Sequence, residues 1–96
     1  MLTDKTYANG QRINELQGNR LIWYYKDGKV KAEGPYENDQ MEGQWRFYRA
    51  TGQLWQIAHF LHNQKHGLWT RYDRNDRVEY CVEFEHDKPV KRPPTP

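Results

Sequence analysis

The chain has 96 residues and a mass of 11.7 kDa, room for one domain, so any internal repeats must share a single core. Its 15 Lys and Arg against 13 Asp and Glu leave +2, too even a balance for a strong electrostatic grip on nucleic acid or an acidic membrane. Only 16 of 96 residues are Leu, Ile, Val or Phe, a fraction that borders on disorder, but four Trp, seven Tyr and three Phe supply an aromatic core in place of the aliphatic one.

The opening Met1-Leu-Thr-Asp4 has neither the basic segment nor the apolar run of a signal peptide, and the single Cys81 excludes an intramolecular disulfide framework. Both features predict a cytoplasmic protein. Apolar runs such as Leu21-Ile-Trp-Tyr-Tyr25 fall far short of the roughly 20 residues a membrane-crossing helix needs. Residues 1–18 hold a fragment, Tyr7-Ala-Asn-Gly10-Gln-Arg-Ile13, that echoes Tyr25-Lys-Asp-Gly28-Lys-Val30 at a spacing unlike the rest of the chain. They read as an atypical first hairpin or a cap.

From residue 19 the chain matches itself at a shift of 24 without a gap. Gly43 falls on Gly67, Trp45 on Trp69, Tyr48 on Tyr72, Leu54 on Val78 and Phe60 on Phe84, and the preceding unit puts Asn19, Leu21, Tyr24, Val30 and Tyr36 in those columns. Three units follow, 19–42, 43–66 and 67–87, sharing one domain. Each contains two aromatic and β-branched runs separated by a short loop that ends in Gly28, Gly52 or Asp76. Such a loop suits a type I turn closed by a left-handed residue. Apolar residues recur at period two and not at 3.6, as at 78, 80, 82 and 84. The prediction is an all-β chain of consecutive antiparallel hairpins forming one elongated, twisted meander sheet. Residues 88–96, with Pro89, Pro93, Pro94 and Pro96, read as a disordered tail that cannot pair as a central strand.

Alternation assigns the two faces. Even positions of the second strands are mostly apolar in every unit, whereas odd positions read Lys31, Glu33, Pro35, Glu37 in the first unit and Glu79, Cys81, Glu83, Glu85 in the third. In the middle unit the odd positions are Trp55, Ile57, His59 and Leu61. An apolar stripe where the neighbouring units are charged points to a docking patch, taken here as Phe47, Trp55, Ile57 and Leu61; the competing expectation is that the N-terminal residues cover it. The recurring rings Trp45, Trp69, Tyr24, Tyr48, Tyr72, Tyr36, Phe60 and Phe84 are expected in the core, because a repeat array must stack something at its period.

The segments Asn63-Gln-Lys-His-Gly67-Leu-Trp69-Thr-Arg-Tyr72 and Gly43-Gln-Trp45-Arg-Phe-Tyr48-Arg-Ala-Thr-Gly52-Gln-Leu54 resemble MORN-type repeats, specifically the bacterial variant found in YwqK-family antitoxins. The resemblance spans about residues 19–87. It implies stacked hairpins serving as a scaffold, as a membrane-associating module in some eukaryotic members, or as an antitoxin in bacteria. The chain departs from the pattern at Leu21, Gln64 and Asp76. The motif carries no catalytic residues, so it implies none here.

No other chemistry gathers in the sequence. His59, His62, His66 and His86 lack metal-ligand spacing, Cys81 has no activating motif, and the glycines sit singly at turns, so neither a metal, a nucleotide cofactor nor a catalytic site is expected. Rings beside Arg, as in Trp45-Arg-Phe-Tyr-Arg49, could stack nucleic acid bases, but no basic stripe accompanies them. Three basic residues, Lys88, Lys91 and Arg92, are too few to hold a membrane surface without apolar insertion. The expectation is a noncatalytic protein-interaction or scaffold module, with an antitoxin as the alternative; its apolar patch or an open sheet edge could also support a homodimer.

Overall fold

The structure, a computed structural model, describes residues 6–90. Ten strands follow in chain order: β1 (Asn14–Gln17), β2 (Arg20–Tyr24), β3 (Val30–Glu37), β4 (Gln40–Met41), β5 (Gly43–Tyr48), β6 (Leu54–Leu61), β7 (Gln64–Lys65), β8 (Gly67–Tyr72), β9 (Val78–Glu85) and β10 (Lys88–Pro89). They form one antiparallel sheet in the order β1-β2-β3-β5-β6-β8-β9-β10, with β4 added to β3 and β7 to β6. Its extents, 53 × 34 × 18 Å, are those of a single elongated layer. The expected hairpin meander is present, with β2/β3, β5/β6 and β8/β9 as its three hairpins.

Sequence chemistry fixes both ends of each hairpin. At one end a five-residue loop closes on a left-handed residue, Gly28 (φ 90°), Gly52 (φ 96°) or Asp76 (φ 62°), whose N–H donates back to Tyr25, Arg49 or Asp73. At the other end, Asn38-Asp39, His62-Asn63 and His86-Asp87 all have positive φ, the geometry of a type I′ turn. Asx residues tolerate that region better than most, which accounts for their place there. The short strands β4, β7 and β10 after these turns escaped the sequence reading. Lys88 opposes Glu85 and Pro89 opposes Phe84, so pairing runs past the boundary set at residue 87; proline is accommodated because β10 is an edge. Residues 91–96, the rest of the expected tail, lie outside the described residues.

The N-terminal echo is a genuine loop of the same kind. Tyr7 N–H donates to Gln11 O at 2.8 Å and Gly10 N–H to Tyr7 O at 2.9 Å, the bonds that Tyr25, Lys29 and Gly28 repeat. Its second strand, β1, is four residues long where β3 is eight, and Gln17 meets Arg20 across a two-residue turn. The shortened strand and missing β4 counterpart explain the mismatched spacing: this is a truncated unit. Tyr7 Oη donates to Tyr24 O, Tyr25 Oη to Tyr48 O and Arg49 Nη2 to Tyr72 O, so equivalent side chains tie each hairpin to the next.

The core sits on one face of the sheet. Leu21, Ala32 and Trp45 are buried together, with Trp23, Tyr36, Met41, Phe47 and Phe60 packed around them. Trp45 is fully buried, and a Cβ on Gly34 would overlap its ring, so the indole lies on bare backbone. Trp45 Nε1 donates to Pro35 O and Trp69 Nε1 to His59 O, both at 2.9 Å. Edge-to-face contacts link Trp45, Phe60, Trp69 and Phe84, with centroids 5.2–6.2 Å apart. The tyrosine column departs from expectation: Tyr24 donates to Glu15 and Tyr48 to Glu33, bonds made away from the ring ladder.

Candidate functional site

The register separates the four residues expected to form a patch. Directly opposed residues of antiparallel strands share a face, and Phe47 opposes both Ala32 and Gln56. Phe47 therefore stands on the core face and packs against Trp45, with centroids 6.3 Å apart. Ile57 opposes Arg46 and Thr70 on the other face. Leu61, four residues further along β6, shares that face by alternation.

Trp55 is displaced by a bulge that alternation alone does not reveal. Phe47 pairs with Gln56 and Tyr48 with Leu54, leaving Trp55 as the extra residue of β6. The same irregularity leaves Lys31 extra in β3 and Glu79 extra in β9, so all three occupy one column of the repeat. The Trp55 ring meets the guanidinium groups of Arg71 at 5.0 Å and Arg49 at 5.8 Å. Arg71 bonds Gln56 Oε1 through Nε and Nη2, both at 3.3 Å, and lies 5.3 Å from the Tyr80 ring. Trp55 thus belongs to a cation–π stack between hairpins and not to a stripe with Ile57 and Leu61. In the first unit Lys31 lies over Tyr25, the same pair of columns with ring and cation exchanged.

The face opposite the rings is built on ion pairs at one end and aliphatic groups at the other. Glu33 accepts from Arg20 at 2.9 Å and from Tyr48 Oη at 2.9 Å. Burial pushes the Glu33 carboxyl up, but donation from Arg20 and Tyr48 outweighs it and holds the group below the ordinary carboxylate range. Burial and the bond to Glu33 push the Tyr48 phenol up, and the bond to Glu15 does the same for Tyr24. One hairpin further on, Ile57 occupies the Glu33 column. Here Leu68, 51% exposed, lines one shallow depression with Leu61 and His59, and His59 Nδ1 lies 2.7 Å from Leu68 O.

The histidines contact their neighbours across repeats. His62 pairs with Glu42 at 3.0 Å, the His66 and His86 rings meet at a tilt with centroids 5.3 Å apart, and His86 meets Gln64. Among the described residues no three His, Cys, Asp or Glu side chains are grouped to hold a metal ion. The sequence reading missed Leu68, Tyr80 and Val78, which are 51%, 41% and 61% exposed. The signal was available for the last two: they occupy the core columns of the third unit, beyond which no further hairpin lies among the described residues.

Residues 17–38 and 41–62 match the family model described as MORN repeat variant. Those two stretches carry the MORN repeat pattern. The matched stretches cover the first two hairpins, and the third, β8/β9, repeats their pairing and bulge beyond the match. No curated protein and no solved structure matches the chain.

Proposed function

We propose that this chain is a noncatalytic protein-interaction module whose docking surface is the aliphatic end of the face opposite the ring ladder: Ile57, Leu61 and Leu68. MORN repeats as a class serve as binding modules, which supports the reading. The observation that carries it is the half-exposed Leu68 beside Leu61 in a region where the preceding unit carries Glu33 and its donors. Large apolar side chains grouped in water favour association, because contact removes their surface from solvent. Phe47 drops out of the surface because it packs on the core, and Trp55 because it is stacked between guanidinium groups.

The test replaces Leu61 and Leu68 together by Asp. Both side chains lie outside the ring ladder, so the melting temperature should stay within a few degrees of the parent, which is the range expected when surface substitutions cost about 0.5 kcal/mol each. Capture of the partner from the native cell by crosslinking should be lost; retained capture discards this face. The narrower antitoxin reading adds a requirement: the captured partner must be toxic alone, and co-expression of this chain must restore growth. Failure of rescue leaves a scaffold or adaptor.

A further inference from the structure

Two ring columns of the repeat give way to arginine at one place. The column that holds Trp23 and Phe47 holds Arg71 in the third unit, and the column that begins with Tyr25 holds Arg49 in the second. Both guanidinium groups lie against the Trp55 ring, and together with Arg74 they line one depression at the loop end of the sheet. The fold accounts for only part of this chemistry. Arg49 Nη2 donates to Tyr72 O, a bond that the Tyr25 hydroxyl makes to Tyr48 O one unit earlier without a charge. Arg49 Nε is buried with no hydrogen-bond partner. A buried N–H without an acceptor is costly, and here it belongs to a cation. Arg71 shares the single Gln56 Oε1 between Nε and Nη2 at 3.3 Å each, long for bonds from a guanidinium. The Arg74 side chain has no hydrogen-bond partner among the described residues, and none of the three arginines is in an ion pair there.

We propose that this depression binds a phosphate monoester carried on a side chain of a partner protein. Three cations lining one recess match a compact dianion with three terminal oxygens. Each planar guanidinium presents paired N–H donors, and a phosphate accepts from several at once, whereas a carboxylate has two oxygens to share. Two carboxylates on the rim narrow the choice of carrier. Asp73 Oδ1 accepts the Asn75 and Arg77 N–H groups within its own loop, and Glu79 is the extra residue of β9. An anionic bilayer or a nucleic acid strand would bring many negative charges against Asp73 and Glu79 as well as against the arginines. The net charge of +2 offers little to offset that repulsion. An isolated phosphate on a protein side chain brings its charge to the arginines alone.

The inference rests on reading the chain as an interaction module, but it is read by peptide binding to the purified chain and not by partner capture through the leucine face, so the two fail separately. The probe is an end-blocked peptide with phosphoserine flanked by glycines, compared with the same peptide carrying serine, each added to the full chain. The phosphorylated peptide should bind about tenfold tighter or more, and the Arg49 Nε–H resonance should shift as that group gains an acceptor. Arg49→Tyr installs the residue that makes the equivalent bond in the first unit, and Arg74→Ala installs the counterpart of Ala50. Each should melt within a few degrees of the parent and weaken phosphopeptide binding roughly tenfold. Glu79→Gln should tighten binding by removing a like charge from the rim. Equal binding of the phosphoserine and serine peptides would overturn the proposal, as would phosphopeptide binding that survives Arg49→Tyr and Arg74→Ala combined. Two further probes separate the sources of phosphate: inorganic phosphate, and vesicles of phosphatidylcholine with phosphatidic acid, whose headgroup is itself a phosphate monoester. Inorganic phosphate that binds where the phosphopeptide does not would give the recess to a free anion. Vesicles captured through the same arginines would give it to a membrane, and either result overturns the proposal.

Discussion

Single side chains at tightly defined positions govern the packing. Gly34 lets the Trp45 indole rest on backbone, so Gly34→Ala should cost about 1–3 kcal/mol as the ring is pushed aside, lowering the melting temperature; an unchanged melt would show that the ring has room to move. Glu33 couples stability to pH. Because its folded carboxyl is held below the ordinary value, its contribution is present above about pH 4 and is lost as pH falls through the folded value. The Tyr48 phenol is shifted up, so its contribution is present below about pH 10 and lost above. Urea midpoints of Glu33→Gln across pH should therefore show a flatter acid limb than the parent. The rings of the core face were legible as recurring residues. Trp55 was not, because a bulge shifts a side chain without altering the residue pattern that precedes or follows it.

The connecting turns are elements in their own right. Asn63 holds φ 68°, donates its N–H to Met41 O at 3.0 Å and accepts the Met41 N–H through Oδ1 at 2.6 Å. Asp87 makes both bonds to Lys65 one step later. Asn63→Ala loses the side-chain acceptor and meets the left-handed backbone with a Cβ, and should cost about 2 kcal/mol in chemical unfolding. Asn63→Gly retains the easy left-handed conformation and loses only the acceptor, so about 1 kcal/mol is expected. Equal costs would mean that the turn backbone is not under constraint. Pro89 occupies the place of Met41 and Lys65 and has no N–H, so it cannot donate the side-chain bond that those residues make. The hairpin loops were readable from their glycines. The small strands β4, β7 and β10 were not, since two residues carry too little alternation to register.

At the scale of the whole molecule, the 24-residue period by itself determined an all-β hairpin array and the Trp and Phe columns of the ring ladder, though not the place of the tyrosine column, because the same backbone step repeats and each step must bury the same columns. It also contained the truncated first unit as a spacing fault, whose cause became visible once β1 was seen to be half the length of β3. Only the tertiary structure decided which apolar residues share a surface. Strand alternation is a local rule, whereas the bulge at Trp55, the packing of Phe47 on Trp45 and the exposure of Val78 and Tyr80 depend on which strand lies alongside, and on β9 having β8 on one side and, among the described residues, only the short β10 on the other. A repeat pattern fixes what each unit offers to its neighbour; the assembled sheet fixes which offers are already taken.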